Sequence, residues 1–196
     1  MFISQFRLGS DFDKSLKIFK KNDFNREGLK NILKYCIENN FKLEILGCAK
    51  KNWELEKKYF DDLIGQKNFH FLRRIHGLSS YKQSLKYKYF VTFCSSLAYE
   101  LSTLGKRVAF LVWPRRFKIR YKNINFNESF YSYKKKTGLI WSNTPSEKEV
   151  FRLLNYITKT KDKNWKNIRR LLIDPIVFYD KDNRRTKKLF KNLGIN

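Results

Sequence analysis

A chain of 196 residues with 42% hydrophobic residues can enclose one packed domain, which excludes disorder as its overall state. Lys and Arg number 43 against 18 Asp and Glu, and the net charge of +25 favours polyanions: nucleic acid, an anionic membrane face or a phosphorylated substrate. No apolar run approaches the roughly 20 residues that span a bilayer. The opening Met1-Phe2-Ile3-Ser4-Gln5-Phe6 lacks the basic lead and cleavage site of a signal peptide, so the expected location is cytoplasmic.

Lys, Asn, Ile, Phe and Tyr are abundant together, a set that biased codon usage also produces, so charge alone does not choose the partner. Cys36, Cys48 and Cys94 lie far apart in apolar stretches, and His70 and His76 are the histidines. This spacing predicts buried reduced thiols and no metal site.

Apolar runs and amphipathic stretches alternate along the chain. Residues 2–6 suit a strand, and residues 25–38 a helix with Leu29, Ile32, Leu33, Cys36 and Ile37 at helical spacing. Asn25 can cap that helix and Asn39-Asn40 can stop it. A strand over 42–47 ends in Gly47, and a second helix covers 52–63. A strand over 69–72 and a short helix over 81–87, capped by Ser79 or Ser80, follow. The continuous apolar run 89–93 predicts a central strand buried on both faces. Next come a helix over 95–104, a stop at Gly105 and a strand over 107–112. Such alternation predicts an α/β fold, a doubly wound, mostly parallel Rossmann-like sheet.

Beyond Pro114 the pattern changes. A basic insertion at about 114–137 interleaves cations with aromatics, including Arg115, Arg116, Lys118, Arg120, Tyr121, Tyr131 and Tyr133. Helices are expected from Thr144 or Ser146 to Ile157, from Asp162 to about Leu172, and over 184–193. Residues 1–143 thus read as a ligand-binding domain, and residues 144–196 as a helical segment packing on it.

The sharpest local signal is Val91-Thr92-Phe93-Cys94-Ser95-Ser96-Leu97-Ala98-Tyr99-Glu100-Leu101, where a buried strand runs through two serines into a helix. A helix start presents unpaired N–H groups and the positive end of the macrodipole, which accept phosphate. Ser96 and Glu100 are four apart and share a face, while Leu97, Leu101 and Leu104 form the expected core stripe. Two readings fit: an anion site backed by a glutamate that accepts from ribose or sugar hydroxyls, or a capping serine with a surface glutamate.

The order of these motifs resembles the donor-binding C-terminal half of GT-B glycosyltransferases, and more specifically bacterial surface-carbohydrate (O-antigen) biosynthesis proteins. The resemblance is carried by the serine-rich turn with Glu100, by Gly105-Lys106-Arg107-Val108, and by Gly138-Leu139-Ile140-Trp141-Ser142-Asn143. It extends to the closing Tyr179-Asp180-Lys181-Asp182-Asn183. It implies a nucleotide-sugar donor, with Ser95 and Ser96 at the diphosphate, Glu100 at ribose or sugar hydroxyls, and Gly47 allowing close approach of the nucleotide. Cys94 stands where related donor sites often carry aspartate. Further partners implied are a lipid-linked glycan acceptor at the inner membrane face and a chain supplying the N-terminal acceptor domain. The alternatives are a basic nucleic-acid-binding module, suggested by the net charge and the basic insertion, and a non-catalytic assembly subunit.

Arg7 follows the first strand, where a basic phosphate contact is expected, or a solvated loop arginine. Arg73-Arg74 and His76 also follow a strand end; a surface role is the simpler reading for them. Asp180 and Asn183 suit turn and capping positions, and Trp141 a core or lid aromatic. No catalytic base is identifiable in the sequence.

Overall fold

The computed structural model describes residues 1–5, 23–76, 78–93, 95–112, 137–177, 180, 184, 188, 191 and 192. Six parallel strands form one sheet: β1 (Phe2–Ile3), β2 (Glu44–Leu46), β3 (His70–Leu72), β4 (Tyr89–Thr92), β5 (Arg107–Leu111) and β6 (Trp141–Ser142). Their order is β3-β2-β1-β4-β5-β6. This is the doubly wound Rossmann order, as the alternation predicted. Its direction reverses between β1 and β4, where Phe2 pairs with Ile45 on one side and Val91 on the other.

Helices flank the sheet: α1 (Asp23–Glu38), α2 (Trp53–Ile64), α3 (Ser79–Ser84), α4 (Ser96–Thr103), α5 (Glu147–Lys159) and α6 (Asp162–Leu172). Right-handed crossovers put α1 and α2 on one face and α4 on the other. The α1 helix packs against both α2 and α5. The chain leaves α1 through Asn40, held at φ 55, with the Phe41 N–H on the Cys36 carbonyl at 2.8 Å. Asparagine here does what glycine does at other helix ends. Gly105 ends α4 at φ 84, where a side chain would be strained.

One core unites sheet and helices. Every residue of β5 is buried, and Val150, Leu153, Leu154 and Ile157 of α5 lie in the same cluster as Phe2, Ile45 and Phe90. The expected helical stripes hold except at their C-terminal ends. Leu29, Ile32 and Leu101 are buried as expected, but Ile37 is 63% exposed and Leu104 41%, while Tyr35 and Ala98 are buried in addition. Asn25 lies inside α1 rather than capping it. Ser79 opens α3, yet its hydroxyl accepts from the Ile75 and His76 N–H groups, so it closes the preceding turn instead of capping the helix. Among the described residues no helix is long and apolar enough to cross a membrane.

The β6 strand lies inside the Gly-x-x-Trp element. A Cβ on Gly138 would fall 2.1 Å from the Trp141 ring, so only glycine allows the indole to fold over the turn. Arg152 of α5 clamps this turn, donating to the Gly138 carbonyl at 2.9 Å and the Trp141 carbonyl at 3.3 Å. Trp141 is half-buried, a core-edge aromatic.

Candidate functional site

In an open α/β sheet the ligand crevice lies beyond the carboxyl ends of the strands, where strand order reverses. Here that point lies between the end of β1, at Ser4 and Gln5, and the end of β4, which leads to Ser95 and Ser96. Phe93 anchors the β4 end. Its ring packs edge-on against Phe2 at 5.2 Å and Phe24 at 6.1 Å, and it sits so close to Gly28 that a Cβ there would come within 3.2 Å.

Ser95 occupies the N-cap position of α4 in extended conformation, but its side chain makes no capping bond. Ser96 is exposed, and Ser95 and Glu100 are half-buried. One helix start thus carries Ser95, Ser96 and Glu100 within its first turns. Burial pushes the Glu100 carboxyl above the ordinary glutamate range. Such a group suits accepting from, or sharing a proton with, neutral hydroxyls better than pairing with a cation.

Gly47 lies at the end of β2, on the far side of β1 from Ser95. Two strand spacings separate them, roughly 10 Å. The room a Cβ would need at Gly47 is taken by the Phe71 ring at 2.6 Å and the Glu56 carboxylate at 3.2 Å. Packing inside the protein therefore accounts for this glycine. Arg7, Cys94, Asn183 and the insertion up to residue 136 lie outside the described residues. His76 is exposed beside the β3 end, and Arg73 lies over the Trp53 ring at 4.8 Å.

Glu56 was not anticipated. It sits in the first turn of α2, wholly buried, beneath the same crevice. It accepts from the Cys48 N–H at 3.0 Å, the Ala49 N–H at 2.8 Å and the Ser4 hydroxyl. The carboxylate thereby ties the β2–α2 turn to the end of β1. Burial pushes its pKa up despite these bonds, and burial with the neighbouring Glu56 carboxylate pushes the Cys48 thiol up as well. Cys48 therefore stays a protonated, unreactive thiol at neutral pH. A signal existed: Glu56, Phe60 and Ile64 are the buried residues of α2, so a glutamate stands on the core stripe.

Among the described residues no group of three or more His, Cys, Asp or Glu could hold a metal ion. A protein-family model described as a putative O-antigen biosynthesis protein matches residues 1–194. No curated protein and no solved structure matches the chain.

Proposed function

The chain belongs to this family of putative O-antigen biosynthesis proteins, and from that premise we propose that it is a nucleotide-sugar-binding, glycosyltransferase-like domain, comparable to the donor half of a GT-B enzyme. The observation that carries the reading is the uncapped start of α4, with Ser95 and Ser96, at the carboxyl side of the β1/β4 reversal. Diphosphate docks on the N–H groups and hydroxyls of that helix start, and Glu100 accepts from ribose or sugar hydroxyls. The proposed step is displacement at the anomeric carbon. An acceptor oxygen forms the new bond, the bond to the diphosphate oxygen breaks, and its electron pair leaves with the nucleoside diphosphate. The helix start stabilises that developing charge. The acceptor hydroxyl's proton passes to a base outside the residues identified so far. A lipid-linked glycan acceptor and an N-terminal-half partner chain are part of this proposal, as is a cytoplasmic position at the membrane face.

Calorimetric titration with UDP, GDP, CDP and CMP tests it, with single-stranded RNA in parallel at physiological salt. Saturable binding of one nucleotide is expected. Ser96→Ala should weaken it roughly tenfold or more, the worth of one hydrogen bond to a charged group. Unchanged affinity in both Ser96→Ala and Glu100→Ala would remove the site from consideration. Tight, salt-steep RNA binding with no nucleotide binding would favour a nucleic-acid module instead.

A further inference from the structure

At the opposite, amino-terminal edge of the sheet, the C-terminal turns of α1 and α5 meet the starts of β1 and β4. A cavity of about 140 Å³ opens there. Ile32, Phe90, Leu154 and Ile157, all buried, make the apolar part of its walls, and Tyr35 and Thr158 complete them. Its rim differs in character: Phe41 is 41% exposed, and Lys42 and Lys88 are exposed beside it. Lys88 shares Asp162 with the buried Arg107, lying 3.2 Å from that carboxylate. Glu44, the nearby acid at the start of β2, receives the Tyr87 hydroxyl. Lys42 makes no ion pair among the described residues. Positive charge therefore exceeds negative charge at the mouth of an apolar hole.

We propose that this cavity binds a small anionic amphiphile, its alkyl or aromatic end among Ile32, Phe90, Leu154 and Ile157 and its carboxylate or phosphate head at Lys42 and Lys88. The volume supports the size of the buried end, since an apolar protein cavity of about 150 Å³ holds a benzene-sized group. The polar groups of the walls are already engaged, the Tyr35 hydroxyl with that of Thr158 at 2.9 Å and the Met1 amine with the Tyr89 carbonyl, so a charged head group belongs at the rim beside Lys42 and Lys88. This site lies across the sheet from the α4 start, and its failure would leave the nucleotide reading untouched.

The experiment is titration of the full chain with octanoate, 1-octanol and octylammonium, followed by the methyl resonances of Ile32, Leu154 and Ile157. Octanoate should shift these resonances saturably, and octylammonium should bind more weakly. Lys42→Glu should weaken octanoate roughly fivefold, the scale of one exposed charge contact, with little effect on octanol. Cys36→Phe, which places a ring in the cavity, should abolish the shifts while the rest of the spectrum remains that of the folded protein. The proposal is overturned if octanoate fails to saturate, if octylammonium binds as well, or if the shifts appear only at the carboxyl edge. For the wild-type chain, these outcomes need no variant to fold.

Discussion

Glu56 at the carboxyl edge and Arg107 at the amino edge are both enclosed, 0% and 2% exposed, yet they are held by unlike partners. Two backbone N–H groups and a serine hydroxyl satisfy Glu56. Arg107 donates to the Ile157 carbonyl at 2.9 Å and to Asp162, and lies over the Trp165 ring at 5.6 Å. The difference is in what each would leave behind. Ala49 and Ser4, which serve Glu56, are shut away from water, whereas Asp162 is 76% exposed and can return to water. A buried charge matters through the groups it satisfies as much as through its own solvation.

The largest effect should therefore come from Glu56→Ala. It takes the acceptor from the Cys48 and Ala49 N–H groups and opens a hole, which should cost about 3 kcal/mol or more. Urea unfolding midpoints would measure it, and the loss should also loosen the crevice floor. Arg107→Met keeps most of the apolar volume and releases Asp162 to solvent. It should cost less, about 1–2 kcal/mol, mainly from the orphaned Ile157 carbonyl and the lost ring contact. If Arg107→Met proved the more damaging of the two, partner solvation would not be what separates the edges.

The legible part of the molecule was its central half. The run 89–93 declared β4 because a strand covered on both faces has no polar alternation to disguise it. The same turn exposed the α4 start, since Ser-Ser between a strand and an apolar helix is a local signal. Three things were hidden. The β6 strand is two residues long and is made by Gly138 under the Trp141 ring, a tertiary contact without periodicity. The end of the α4 stripe was misplaced because the helix has only eight residues, too few to separate Leu101, which is buried, from Leu104, which is not. Glu56 was missed for a related reason: a glutamate in a first turn reads as a dipole complement, and only the burial of Phe60 and Ile64 reveals its face.

The smallest effect sharpens the contrast most, because it separates the charge of Glu56 from its hydrogen bonds. Glu56→Gln keeps size and one acceptor oxygen but cannot titrate. Burial raises the folded-state pKa of Glu56 above its ordinary value of 4.5, so the folded chain binds the proton more tightly than the unfolded chain does. The resulting stability is fully present below the unfolded value and is lost as pH rises through the folded value. The glutamine variant has no such slope. Unfolding midpoints of the two proteins should thus diverge between acid and neutral pH, the wild type losing ground to the variant as pH increases. A wild type that instead gained on the variant would mean that the N–H and hydroxyl bonds outweigh desolvation. In that event Glu56 would act as an anchored anion, and the crevice floor beside Ser4 would repel, rather than tolerate, a second negative group.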